Sequence, residues 1–257
     1  VTATSDGALA ATELEKYVSE VQRRTGLYPK DPEIREKALA SDEENKKRET
    51  ENRLFTPQMQ AQLDTVFERM AQPLALKLYL DDRSISKELQ EYVESLVSMT
   101  DKLTMEAAWD ERVEAPCVKV YLADDTDMGL AFHGVPGGHE FTSFILGLYN
   151  AAGPGQVLDT DIRKRIEKIN KKVHIMILVT LSCSMCPDLV IAAWHMAAVN
   201  KTISAEVYDI LHFETLRNKY KVMSVPCMVI NEEHVFFGKK NMQQVLEIVE
   251  RVVRNEP

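Results

Sequence analysis

The stretch Cys183-Ser184-Met185-Cys186-Pro187 decides the fold of the second half of this 257-residue chain. It follows the apolar run 173–181, which is typical of a buried strand, and it opens a predicted helix at 186–199. Unpaired N–H groups at a helix start carry partial positive charge and stabilise a thiolate on the first cysteine. The second cysteine lies one turn on, within reach of a disulfide. A strand–CxxC–helix arrangement therefore predicts thiol–disulfide chemistry.

Two structural alternatives to redox chemistry are open for this motif. Cys183 and Cys186 could be half of a zinc knuckle, or they could be two buried thiols. A structural zinc site usually has four ligands at paired spacings, and the chain has no second CxxC and no Cys-x-x-His. Pro187 suits the first turn of a helix, where its missing N–H would have no partner. We therefore predict Cys183 and Cys186 as catalytic residues and no metal.

Composition limits the partners of the whole chain. Its net charge is −9, which argues against nucleic acid and anionic membranes because both require a positive patch. The apolar runs are shorter than the ~18 residues of a transmembrane helix. With only four cysteines, the chain is no disulfide framework and we expect a cytoplasmic protein. It begins at Val1 with no signal peptide, and we interpret it as a piece of a longer protein.

Residues 57–257 look like a duplication, with half one at 57–155 and half two at 156–257. Both halves follow the order β-α-β-(α)-β-β-α. The predicted strands are 74–80, 103–108, 117–122, 130–133, 173–181, 203–210, 228–230 and 235–237, and the predicted helices are 85–99, 140–151, 186–199, 213–220 and 242–253. Aligning the halves places Asp82 opposite Cys183 and Ile85 opposite Cys186. Half one therefore lacks both cysteines and the helix that corresponds to 213–220.

Both halves also reach a Pro-Cys pair at the start of a strand, at 116–117 and at 226–227. The second pair lies where a thioredoxin fold has its cis-proline loop. A cis peptide there would turn the backbone of Val225 toward the CxxC, free to pair with an incoming peptide. The alternative is an ordinary trans proline opening a strand. We predict the cis form, and the predicted substrate-binding residues are Ser184, Met185, Val225 and Pro226.

Residues 57–257 resemble the N-terminal tandem domain of the flavoprotein subunit of alkyl hydroperoxide reductase. The matching stretches are Gly138-His139-Glu140-Phe141-Thr142-Ser143, 181–188, 222–226 and 242–245. The resemblance implies an α/β protein of two fused thioredoxin-like folds, only the second with a CxxC. It also implies that the cysteine pair takes electrons from a flavin-proximal dithiol and reduces a peroxiredoxin.

Glu140 matches the buried acid that this family has near its active cysteines. The implied role is to take and return the proton as Cys183 cycles between thiol and thiolate. The alternative is plain helix-start electrostatics, since a carboxylate is favoured after Gly137-Gly138. Cys117 and Cys227 depart from the family pattern, and we expect both to be small buried side chains.

Residues 1–20 predict an amphipathic helix, and the run 2–11 is similar to the closing FAD-binding stretch of thioredoxin reductases. The alternative is an ordinary small-residue helix start. We interpret 1–20 as the tail of a flavin domain and 21–56 as a charged linker. FAD and NAD(P)H are then expected in the parent protein and not in this chain, where the redox-active disulfide takes their place. The expected partners are the upstream flavoprotein domain and a peroxiredoxin or thioredoxin-like acceptor, and a homodimer is left open.

Three functions are compatible with these features. The first is a thiol–disulfide oxidoreductase that relays electrons from a thioredoxin-reductase-like dithiol to the acceptor. The second is a disulfide oxidase or isomerase of the tandem thioredoxin-fold type, which the missing cysteines of half one disfavour. The third is a docking module in which half one supplies a binding surface and the CxxC is incidental. We predict the first.

Overall fold

The computed structural model describes residues 54–255. The predicted tail 1–20 and nearly all of the predicted linker 21–56 lie outside the described residues. The helices are α1 (Pro57–Arg69), α2 (Ser84–Val97), α3 (Glu140–Ala152), α4 (Thr160–Glu167), α5 (Cys186–Val199), α6 (Glu214–Lys219) and α7 (Met242–Arg254). The strands are β1 (Leu74–Tyr79), β2 (Leu103–Ala108), β3 (Cys117–Leu122), β4 (Asp127–His133), β5 (Val173–Val179), β6 (Ile203–Asp209), β7 (Cys227–Ile230) and β8 (His234–Phe237).

The strands form a single eight-stranded sheet in the order β2-β1-β3-β4-β6-β5-β7-β8. In half one, β1 pairs parallel with β2 and antiparallel with β3, which pairs antiparallel with β4. In half two, β5, β6, β7 and β8 repeat that pattern in the same order. Parallel pairing of β4 with β6 joins the halves. The predicted architecture of two fused thioredoxin-like folds is confirmed.

The elements agree with the predicted ones except at their ends and in number. The strand predicted at 173–181 ends two residues earlier, because the Cys183 N–H donates to the Thr180 carbonyl and closes a turn there (3.0 Å). Apolar periodicity does not reveal α1 or α4, because α1 buries only Leu63 and Phe67, and α4 buries only Ile166. The boundary at 155/156 stays a prediction.

Half one lacks the helix between its second and third strands, as predicted. The segment between β2 and β3 holds only turns, whereas half two has α6 between β6 and β7. No helix within residues 54–255 combines the length and the apolar character that crossing a membrane requires.

The main core lies between the sheet and the larger helices, and it spans both halves. Trp194 of α5 is fully buried at its centre, with its ring centroid 5.7 Å from that of Phe144 in α3. Gly147, one turn further along α3, provides the space for the indole ring: a Cβ built on it would lie 2.6 Å from Cζ3 of Trp194. The helix that carries the CxxC is therefore positioned directly against half one.

Candidate redox site

Cys183 and Cys186 form a disulfide with a Cα–Cα distance of 5.6 Å. Cys186 is the first residue of α5 and is fully buried, whereas Cys183 lies in the preceding turn and is half-buried. Of the two sulfurs, the one of Cys183 is therefore the more open to a partner. The N-cap residue, Met185, makes no side-chain cap to α5, so the amides of the helix start are available to stabilise negative charge.

The remaining predicted site residues lie on both sides of this disulfide in sequence. Ser184 is exposed, and the side chain of Met185 is 51% exposed. The Val225–Pro226 peptide is cis, as predicted. Among the residues that the structure describes, none hydrogen-bonds to the backbone N–H or C=O of Val225. These backbone groups are therefore free for a peptide, and β7, which follows, pairs with β5 directly before the CxxC.

Glu140 begins α3 and is completely buried. The preceding residue donates its N–H to the Leu181 carbonyl, two residues before Cys183 (3.0 Å). Gly138 permits this contact: its φ is +54°, and an added Cβ would lie 2.5 Å from the Leu181 carbonyl oxygen. The backbone thus attaches the acid-bearing helix of half one to the CxxC loop of half two.

The Glu140 carboxyl group is poorly solvated by the protein around it. Its Oε2 accepts a hydrogen bond from the Ser143 hydroxyl, and its Oε1 has no hydrogen-bond partner. Burial raises the pKa of Glu140 to about 8, the Ser143 hydroxyl opposes this shift, and the buried Asp209 carboxylate adds to it. An acid with this pKa can exchange a proton near neutral pH.

We expect Glu140→Gln to remove a pH dependence of stability. An acid whose pKa rises on folding, here from 4.5 to about 8, keeps its proton when the unfolded chain has lost it. Its contribution is therefore complete below pH 4.5 and is lost as the pH rises toward 8, with a slope of at most about 1.4 kcal/mol per pH unit. Denaturant unfolding between pH 4 and 9 measures this decline, which the Gln variant should not show.

The same variant tests whether Glu140 acts on the redox pair. We expect the rate of alkylation of reduced Cys183, followed against pH, to lose its step near pH 8 in Glu140→Gln, because the carboxyl group no longer ionises there. Glu88→Gln on the exposed side of α2 is the matched control and should leave both profiles unchanged. An alkylation profile identical to that of the wild type would reduce Glu140 to a helix-start residue.

The two free cysteines lie in the interior. Cys117 and Cys227 are fully buried, and burial raises the pKa of the Cys227 thiol to about 11 and that of Cys117 well above its ordinary value. Both are packing residues, as expected. Sequence reasoning did not reveal that the Cys117 Sγ lies 3.5 Å from Nε2 of His133. Within residues 54–255 no group of three or more His, Cys, Asp or Glu side chains could hold a metal ion.

Sequence reasoning also missed Arg83, which lies at the counterpart of the CxxC in half one. Its guanidinium donates to the carbonyl oxygen of His212, 129 residues away in the chain. No periodicity or motif indicates a contact of this kind.

Comparison with known proteins places the chain in a family. The thioredoxin domain profile matches residues 173–250. The alkyl hydroperoxide reductase flavoprotein AhpF from Pseudomonas aeruginosa is 31% identical over 188 residues, or 73% of this chain and 36% of that protein. A protein named NADH dehydrogenase from Bacillus subtilis is 28% identical over the same share of this chain and 36% of its own. The chain thus spans little more than a third of these curated relatives.

Solved structures match over nearly their whole length. The crystal structure of the NTD_N/C domain of alkylhydroperoxide reductase AhpF from Enterococcus faecalis is 33% identical with a TM-score of 0.72, and the match covers 76% of this chain and 99% of that one. A protein disulfide oxidoreductase from Aeropyrum pernix shares the fold with a TM-score of 0.67 at 19% identity, over 78% of this chain and 94% of its own. The resemblance found in the sequence is confirmed: the chain belongs to the AhpF family of alkyl hydroperoxide reductase flavoproteins, of which it matches the N-terminal tandem thioredoxin-fold domain with a thiol–disulfide redox site.

Proposed function

We propose that this chain is a protein-disulfide reductase that relays electrons from a flavoprotein dithiol to the disulfide of an acceptor protein. The observation that carries the proposal is the Cys183–Cys186 disulfide at the start of α5, with Cys183 accessible and Cys186 buried. A nucleophilic cysteine must be exposed to reach another protein, whereas its resolving partner need only reach the first sulfur.

The reaction has two halves. A thiolate of the donor dithiol attacks the Cys183–Cys186 disulfide, and a second attack leaves the donor oxidised and this pair as a dithiol. The Cys183 thiolate then attacks the acceptor disulfide and releases one acceptor thiol. Cys186 attacks the mixed disulfide, which releases the second acceptor thiol and re-forms the starting disulfide. Two electrons and two protons pass to the acceptor.

The surroundings support roles for the other predicted residues. Ser184 and Met185 present exposed surface next to the reactive sulfur, and the unpaired backbone of Val225, fixed before Pro226, suits an extended acceptor segment. The buried carboxyl group of Glu140 suits proton exchange with Cys183. In the relatives named as alkyl hydroperoxide reductases, a peroxiredoxin is the expected acceptor, and for this chain we propose a peroxiredoxin or a thioredoxin-like protein.

The main competing function is a disulfide oxidase, and the reduction potential separates the two. We expect the Cys183–Cys186 couple to equilibrate with glutathione or dithiothreitol buffers at or below about −230 mV, in the range of reducing thioredoxin-fold proteins. The measurement is the fraction of free thiol at equilibrium over a series of buffers, with quantification by mass after alkylation. A value near −120 mV, which is typical of a strong oxidant, would favour the oxidase.

A further inference from the structure

Arg83 occupies the peptide-binding position of half one. By the alignment of the halves it corresponds to Ser184 of the CxxC, and its Nε donates to Oδ2 of Asp81 (2.8 Å). Its Nη2 donates to the carbonyl oxygen of Ala115. Ala115 precedes the cis Pro116 and is the counterpart of Val225, whose backbone is unpaired. In half one, the backbone group that corresponds to the free one in half two is thus already bonded to the protein's own arginine.

The same guanidinium contacts half two. Its Nη1 donates to the carbonyl oxygen of His212 (3.0 Å), and its central carbon lies 5.4 Å from the ring centroid of Phe213. A planar guanidinium with several diverging donors can bond carbonyls on two elements and stack on an aromatic ring at once. Arg83 therefore joins the loop before β3 to the loop after β6.

The loop after β6, residues 210–213, lies at the edge of the sheet that carries the disulfide. β5 and β6 are parallel, so the loops at their carboxyl ends are adjacent, and the Ile210 N–H donates to the Val179 carbonyl just before the CxxC turn (3.0 Å). On its inner side the loop is held by the buried Asp209, whose Oδ1 accepts from the Leu211 N–H (3.2 Å). The Leu211 side chain projects outward and is 70% exposed.

We propose that Arg83 is a positioning residue that holds loop 210–213 in place, so that Leu211 forms part of the surface that an acceptor protein contacts beside the disulfide. The inactive half thereby shapes the acceptor surface of the active half. This inference rests on the proposed function for its effect on turnover, but the effect on the loop itself does not depend on catalysis.

The chain offers a closely matched control for Arg83→Ala. Arg112 follows Asp110 with the same spacing as Arg83 follows Asp81, and in both cases the arginine N–H and Nε bond to that aspartate. Arg112 makes no contact with half two among the residues that the structure describes. Arg112→Ala therefore removes the same charge and the same local ion pair without releasing the loop.

Two measurements on the whole chain test the proposal. Hydrogen–deuterium exchange of the peptide 209–217 should be about tenfold faster or more in Arg83→Ala and unchanged in Arg112→Ala, because two charge-assisted hydrogen bonds are lost only in the first. With dithiothreitol as electron donor, KM for insulin disulfides should rise roughly fivefold or more with little change in kcat. Turnover of the small disulfide 5,5′-dithiobis(2-nitrobenzoate) should not change, since it does not need the loop.

Arg83→Lys separates geometry from charge. One ammonium group cannot bond both carbonyls and stack on the ring, so we expect it to behave like Arg83→Ala. Wild-type behaviour of Arg83→Lys, or equal exchange in the Arg83 and Arg112 variants, would overturn the proposal, and so would faster exchange with an unaltered KM. A wild-type chain that fails to reduce insulin would refute the proposed function instead, and the exchange comparison would still decide whether Arg83 holds the loop.

Discussion

Cys183→Ser is expected to lower the rate of disulfide transfer to an acceptor by more than about a thousandfold, because the substitution removes the attacking sulfur itself. Cys186 cannot replace it, since that side chain is fully buried at the start of α5. The measurement is insulin reduction with dithiothreitol as donor, corrected for the direct reaction. Cys227→Ser removes a buried thiol outside the pair and serves as the control, with activity close to that of the wild type.

Cys186→Ser should have the complementary effect. Cys183 can then attack an acceptor disulfide, but nothing resolves the product, and the mixed disulfide accumulates. Non-reducing electrophoresis and mass spectrometry would detect it and identify the acceptor cysteine. Substantial turnover by Cys183→Ser, or no covalent complex with Cys186→Ser, would contradict the reductase scheme and favour the docking function.

Gly147→Ala is expected to destabilise the protein by about 3 kcal/mol, because the new methyl group overlaps the buried indole of Trp194. The sign is the informative part. In a helix interior, replacing glycine by alanine ordinarily stabilises by up to about 1 kcal/mol. Here both α3 and α5 are fixed by the sheet and have little room to separate. Denaturant unfolding monitored by Trp194 fluorescence and by circular dichroism measures the change.

Two further variants show whether the overlap is the cause. Gly137→Ala lies where an added Cβ meets no atom within 4 Å, and it should change stability by less than about 0.5 kcal/mol. Trp194→Leu removes the ring atoms that the new methyl group would overlap, so the double variant with Gly147→Ala should lose less stability than the sum of the single variants. Additive losses would mean that the methyl group is accommodated elsewhere.

Local signals made most of the fold predictable. Alternating strand and helix patterns indicated the order of elements, and the CxxC between an apolar strand and a helix identified both the fold and Cys183 and Cys186. The proline at 226 was recognisable only because the CxxC preceded it in the same half. Absence of a helix in half one followed from the shorter distance between its equivalent positions.

Other features depend on contacts between distant parts of the chain, and no single sequence shows them. A glycine within a helix pattern does not indicate that Trp194 lies against Gly147. A glutamate at a helix start looks the same whether or not one carboxylate oxygen lacks a partner, as it does in Glu140. Arg83 stands in a charged, turn-like stretch, and its bond to the loop of half two depends on how the two halves are joined.

The pairing of β4 with β6 sets a limit on dividing this protein. A shorter version that began at residue 156 would leave one side of β6 bare, with a row of N–H and C=O groups ready to capture another chain. It would also uncover the indole of Trp194. The cysteine-free half is thus a permanent intramolecular chaperone for its sibling, and a minimal working unit must include both.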